Sequence, residues 1–383
     1  MKKTVLDLIP DHLRALGAYV PGKPLKQAQR ESGVAMIKMA SNENPFGPSR
    51  LAMAAIREAA AEVNRYPDND ATELRAALAE RHRLAPDQVF IADGSLGVLD
   101  IMARTLLAPG LNCITSERSF ISYPIVTQAT GARLVQAPMR NDAYDLDAIA
   151  ASISDETRVV ILANPNNPTG TMFDADATEA FLARVPDHVL VVLDEAYSDF
   201  AEHFAAQCRV TYSRSMEYVR AGRLNVLVLR TFSKAHGLAG LRVGYGCCHP
   251  GLLQYFARLR NSFSVSVAAE AGALAALKDD AHIRKTVENN AAGAAWLMDQ
   301  LSELRVRAIP TSANFIYFET DDDANDLTKR MQAEGIIIRS LAPWGVPTGL
   351  RVTIGTPEQN QRFVEALKAA MGQTVGASQK STK

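Results

Sequence analysis

Residues 226–245, VLVLRTFSKAHGLAGLRVGY, decide the reading of this chain. An apolar run, VLVLR (226–230), leads into the pair Ser233-Lys234, a glycine-rich turn and then Arg242, eight positions after the lysine. A lysine at the end of a buried strand is rarely left without a partner. An amine held in a partly apolar pocket gives up its proton more readily and becomes a nucleophile toward an aldehyde. A serine and an arginine close by suit a phosphate. Together these residues point to pyridoxal phosphate held on Lys234 as a Schiff base. A surface lysine after an ordinary strand is the plain alternative.

The apolar character of that run recurs upstream. QVFIA (88–92), NCITS (112–116), RLVQA (133–137), VVILA (159–163) and VLVVLD (189–194) alternate with helical stretches. Buried runs without period-two alternation, separated by helices, predict an α/β fold with a mostly parallel sheet covered on both faces. At 383 residues the chain exceeds one hydrophobic core, so a smaller second domain is expected. After residue 266 an Ala-rich helical region (267–304) precedes short strands at 314–319, 335–339 and 350–354 and a helix over 357–371. The expected organisation is a large cofactor-binding domain over 47–265 and a small α+β domain over 266–371. The N-terminal segment, 1–46, joins the small domain, and a polar, disordered tail follows over 372–383.

Bulk properties exclude several classes. A net charge of −1 and the lack of a basic run argue against a nucleic-acid partner. The four cysteines match no zinc spacing, so no metal is expected, and Cys247-Cys248 read as reduced, buried small hydrophobes. The N-terminus lacks the apolar region of a signal peptide, and no uncharged apolar stretch is long enough to span a membrane. The expectation is a cytoplasmic protein.

In open α/β sheets ligands bind beyond the carboxyl ends of the strands. Three more groups fall at such ends. Gly94-Ser95 opens a helix, where free N–H groups and the positive helix end can take a phosphate, although a simple turn and cap would look the same. NPNNPTG (164–170) cannot continue a strand, and Asn167 could present its amide to a cofactor oxygen or belong only to a rigid loop. Asp194, at the inner end of an apolar run, is costly unless paired. Facing a protonated pyridine nitrogen, it would keep the ring cationic; a structural salt bridge or helix cap is the alternative. Tyr197 could donate to the phenolic oxygen of the same ring.

With these motifs in order, the chain resembles the fold-type I pyridoxal-phosphate aminotransferases, within their histidinol-phosphate aminotransferase group. The resemblance runs from about Tyr19 to Met371. It rests on YVPGKP (19–24), SNENPFGPS (41–49), RYPD (65–68), NPNNPTG (164–170), DEAY (194–197), RTFSKAHGLAGLRVGY (230–245) and LRVTIGTPEQN (350–360). It implies that Lys234 binds the cofactor and shuttles the proton, and that Asp194 pairs with the pyridine nitrogen. It implies that Tyr197 and Asn167 hold the phenolic oxygen and that Phe120 stacks on the ring. Gly94, Ser95, Ser233 and Arg242 would bind the phosphate, with Tyr66 reaching in from the second subunit of a homodimer. Arg351 would receive the substrate carboxylate, helped by Arg339, Tyr19 and Asn44. Leu96-Gly97, His236 and NSFSVS (261–266) depart from the group's usual pattern, and they are expected on or near the substrate side.

The expected activity is transamination between an amino donor and a 2-oxo acid, with histidinol phosphate and 2-oxoglutarate ranked first. An aromatic amino acid aminotransferase and a decarboxylase of a phosphorylated amino acid are the enzymatic alternatives. A non-catalytic effector-binding domain of a transcription regulator ranks last, because YVPGKP already begins at residue 19 and leaves no room for a DNA-binding domain.

Overall fold

A computed structural model gives the structure of the chain and describes residues 4–17, 25–32 and 35–377. The strands of its first half are β1 (Ile37–Lys38), β2 (Val89–Ala92), β3 (Asn112–Ser116), β4 (Arg133–Ala137), β5 (Met139–Arg140), β6 (Ala143–Tyr144), β7 (Thr157–Ala163) and β8 (Leu190–Asp194). They continue with β9 (Val226–Thr231), β10 (Gly244–Cys248), β11 (Arg307–Ala308), β12 (Phe315–Glu319), β13 (Ile336–Ile337), β14 (Arg339–Ser340) and β15 (Gly349–Thr353).

The main sheet has seven strands in the order β2-β10-β9-β8-β7-β3-β4. Its strands are double-sided. Val160, Leu162, Val191, Leu193, Val226 and Val228 join one core, whereas their neighbours Val159, Ile161, Leu190, Val192, Leu227 and Leu229 join the core on the other face. Side chains alternate across a strand, so two buried faces require an unbroken apolar run. Each fully buried aliphatic chain contributes about 1.5–3 kcal/mol. The α/β reading of the sequence is therefore right.

One strand of this sheet was not anticipated. β10 (GYGCC) runs antiparallel to both β2 and β9, with Gly244 opposite Ala92 and Thr231. β2 consequently points the same way as the parallel strands, and all their carboxyl ends share one edge. β10 starts at that edge. Its glycines answer close contacts: a Cβ on Gly244 would lie 2.5 Å from the Ser95 backbone nitrogen, and one on Gly246 would lie 2.9 Å from Val98.

The second core belongs to the antiparallel sheet β11-β12-β15-β14 and the helices Asp280–Glu303, Ala324–Ala333 and Pro357–Ala377. Ile316, Phe318, Leu350, Val352 and Phe363 are fully buried there. β1 pairs in parallel with β13, and Met39 enters this core, so residues 37–39 pack with the smaller unit.

Three details differ from the sequence reading. The expected strand at 335–339 is two short ones that pair with different partners, β13 with β1 and β14 with β15. The last helix continues to Ala377, past the expected end at 371. The helix Val267–Ala276 packs Ala269, Ala273 and Ala276 into the core of the main sheet, so the change of core falls after it and not at residue 266. Asp279 caps the next helix by accepting from the His282 amide at 3.1 Å.

Candidate active site

The shared strand edge opens into a cavity of about 250 Å³ between the two units. Ser95 follows β2, Phe120 follows β3, Asn167 follows β7, Asp194 ends β8, Tyr197 lies just beyond it, and Ser233 and Lys234 follow β9. All of them line the cavity, together with Arg242, Arg339 and Arg351. Most of the residues singled out in the sequence therefore meet in one place.

Asp194 is 6 % exposed, and its Oδ2 accepts a 2.8 Å hydrogen bond from the hydroxyl of Tyr123. Its Oδ1 accepts from the Ala196 amide at 3.3 Å. Burial pushes the Asp194 carboxyl up to about 6, against the opposing pull of the Tyr123 bond. Burial also raises the Tyr123 hydroxyl, which therefore stays a donor. Tyr123 was not anticipated. It lies in the helix Ser122–Gln128, where nothing in the sequence separates it from an ordinary core aromatic.

Tyr197 is buried, and its hydroxyl accepts from Asn42 Nδ2 at 2.9 Å. The Lys234 ammonium nitrogen lies 5.5 Å from the Tyr197 ring centroid and donates to the Ser41 carbonyl at 3.4 Å. Below this level Glu195, beside Asp194, accepts from Arg230 at 2.8 Å and from Ser213 at 2.6 Å. That largely buried ion pair ties the ends of β8 and β9 together.

At the opposite end, Gly94 (φ +97) turns the chain into the helix Ser95–Leu106. A Cβ at Gly94 would sit 2.6 Å from Arg242 Nη2. Arg242 reaches the Ser233 hydroxyl and the Asp93 carbonyl, both at 3.4 Å. A helix start, a hydroxyl and a guanidinium converging on one concavity make a site for a dianion.

Arg351 and Arg339 sit directly opposite each other on the antiparallel strands β15 and β14. Like charges in that relation are destabilising, and an anion between them removes the cost. Arg351 is 5 % exposed; it donates to Asn167 Oδ1 and, at 2.9 Å, to the Ala40 carbonyl. The residues read as a cofactor amide and a substrate arginine thus touch.

Other expectations fare differently. Asn44 does not line the cavity: its amide donates to the Ala235 carbonyl at 2.7 Å and to Thr286 at 3.1 Å, so it ties chain segments together. His236 is buried against Phe232, kept uncharged by burial, and away from the cavity, so it does not face the substrate side. Leu96 does line the cavity. A Cβ at Gly97 would lie 2.0 Å from the Asp93 carboxylate, which would have to turn aside. Asn261 and Ser264 border a neighbouring cleft that shares Leu96, Phe120 and Arg242. Tyr66 is 82 % exposed and stacks on Phe263 at 4.6 Å, outside this chain's cavity. Tyr19 lies outside the described residues.

The chain has relatives among known proteins. Residues 34–367 match the family described as aminotransferase class I and II. A histidinol-phosphate aminotransferase of Moorella thermoacetica is 44 % identical over 91 % of this chain and 89 % of its own length. Histidinol-phosphate aminotransferase 2 of Pseudomonas aeruginosa is 46 % identical over 94 % of this chain and 97 % of its own. Among solved structures, histidinol-phosphate aminotransferase from Sinorhizobium meliloti in complex with pyridoxal-5'-phosphate superposes with a TM-score of 0.86 at 28 % identity. That match covers 96 % of this chain and 98 % of the other.

Proposed function

The chain belongs to the class I and II aminotransferase family, and from that premise we propose that it is a pyridoxal-phosphate enzyme transferring an amino group from histidinol phosphate to 2-oxoglutarate. The observation that carries this reading is the meeting of Lys234, Asp194 and the Arg339–Arg351 pair in one cavity. The curated relatives add the substrate name.

The residues present fit the cofactor. Asp194 is an acid whose charge burial disfavours, so a cationic ring nitrogen beside it would stabilise the carboxylate. The concavity at Gly94, which a Cβ would fill, suits the phosphate. When bound, pyridoxal phosphate supplies an electron sink for bond cleavage beside the donor nitrogen. Lys234 is the proton carrier at its Nζ. Asp194 would keep the ring nitrogen protonated, Tyr197 and Asn167 would hold the phenolic oxygen, and Phe120 would cover the ring face. Arg351 and Arg339 grip the anionic end of either substrate, since a planar guanidinium binds phosphate and carboxylate alike.

A homodimer and a cytoplasmic location belong to the same proposal. The exposed, stacked Tyr66 and Phe263 support the former, because an aromatic pair left outside its own cavity suits a partner subunit. No helix among the described residues is long and apolar enough to cross a membrane.

Purified holoenzyme mixed with single amino donors, followed by loss of cofactor absorbance and by 2-oxo acid formation, tests the substrate. A tenfold or larger preference in kcat/KM for phenylalanine or tyrosine over histidinol phosphate would overturn the substrate while leaving the transaminase reading intact, and carbon dioxide release would favour the decarboxylase. Borohydride reduction followed by peptide mapping tests Lys234; a label on another lysine refutes its role.

A further inference from the structure

We propose that Trp344 is a positioning residue for the anion grip, an indole pinned across the two units that holds Arg339 over the cavity. The proposal rests on the reading of Arg339 and Arg351 as the anion site. Trp344 ends a short turn, Ala342–Trp344, that follows β14 and therefore follows Arg339. Its ring lines the cavity beside Phe120 and Arg339.

Three contacts fix the indole. Its N–H donates at 2.7 Å to the carbonyl of Ser119, a residue of the main-sheet unit. Its apolar body packs against Leu341, Val346, Tyr317 and Ile309 of the smaller unit. Its π face lies 5.5 Å from the Arg339 guanidinium. Ser119 is itself anchored: its hydroxyl donates to Asn166 Oδ1 at 3.0 Å and meets the Tyr144 hydroxyl at 2.6 Å.

The consequence is electrostatic as well as mechanical. Arg339 faces the like charge of Arg351 across the strand pair. The aromatic face attracts the guanidinium lying over it, most strongly where the pair is desolvated. Because the same indole is bonded to Ser119, next to Phe120, the anion grip is registered to the residue expected to cover the cofactor ring. Nothing in the sequence flagged APWG (342–345), since its meaning depends on a carbonyl 225 residues earlier.

The test uses holoenzyme with Trp344→Leu, Trp344→Phe, Arg339→Gln and the Trp344→Leu/Arg339→Gln double variant. Binding of maleate and of inorganic phosphate is measured by calorimetry, alongside KM and kcat for histidinol phosphate and 2-oxoglutarate. Trp344→Leu should weaken both anions and raise both KM values by about fivefold or more, with kcat within about threefold. Trp344→Phe, which keeps an aromatic face and loses the N–H, should recover part of that loss. In the Arg339→Gln background the leucine substitution should add less than about twofold, the mark of a residue acting through Arg339. Additive losses in the double variant, a fall in kcat with unchanged KM, or no effect of Trp344→Leu would each overturn the proposal. If histidinol phosphate is not a substrate, the substrate reading fails, while the maleate and phosphate arms still decide the role of Trp344.

Discussion

Tyr123→Phe should change the charge of the active site without changing its shape. The substitution removes one oxygen from a fully buried ring that otherwise stays against Phe120, 5.5 Å away centre to centre. The lost contact is the 2.8 Å bond to Asp194. A hydrogen bond to a charged acceptor is worth about 1.5–3 kcal/mol, and 1.36 kcal/mol is one pKa unit. The hydroxyl favours the ionised carboxylate, so its removal must raise the midpoint. Starting from about 6, Asp194 should move up by about one to two units in the protein free of cofactor. Wild-type Asp194 is then about 90 % ionised at pH 7, whereas the variant is about half to one-tenth ionised. Infrared difference titration of the protonated carboxyl band, assigned by its absence in Asp194→Asn, reads the midpoint directly. Cofactor affinity should fall at pH 7 and recover toward pH 9, where the carboxylate is charged again. A midpoint that stays or falls would refute the idea that the Tyr123 hydroxyl holds Asp194 in its charged form.

Asp194→Asn keeps size and hydrogen bonding but removes the charge; turnover should fall at least about a hundredfold, a cost of roughly 2.7 kcal/mol, with cofactor still bound, and near-normal turnover would make the carboxylate structural. Mixing inactive Tyr66→Ala and Lys234→Ala proteins should restore part of the activity through mixed dimers that keep one complete site. No recovery after verified subunit exchange counts against shared sites. Gly94→Ala places a Cβ 2.6 Å from Arg242 at φ +97, so absorbance titration should show cofactor affinity reduced by about tenfold or more, about 1.4 kcal/mol, in a protein of unchanged circular dichroism.

The sequence revealed what depends on local pattern and hid what depends on distant partners. The six parallel-direction strands of the main sheet were legible because each is a short run closed by polar residues, and residues just beyond or at the ends of five of them line the cavity. β10 was not, because GYGCC has two glycines and no β-branched residue; its strand character comes from the neighbours it fits between. Asn44 and His236 pointed toward the substrate because they stand in or near motif residues. Their side chains instead meet Thr286 and Phe232, contacts that no spacing announces. Tyr123 and Trp344 were hidden because each bonds to a residue far away in the chain.

The eight-residue interval between Lys234 and Arg242 has a meaning beyond chemistry. Both residues belong to the connection from β9 to β10, whose register sets Thr231 opposite Gly244. One residue inserted or deleted there would force the connection to buckle or β10 to slip by one place. A slip would bring Val243 or Tyr245 to the position beside the Ser95 nitrogen, where even a methyl group has only 2.5 Å of clearance. The loop length is therefore a ruler. It measures out, in the same stroke, the distance from amine to guanidinium and the fit of a bare backbone under the helix proposed to receive the phosphate, so length changes between residues 232 and 243 should be far more damaging than most substitutions within them.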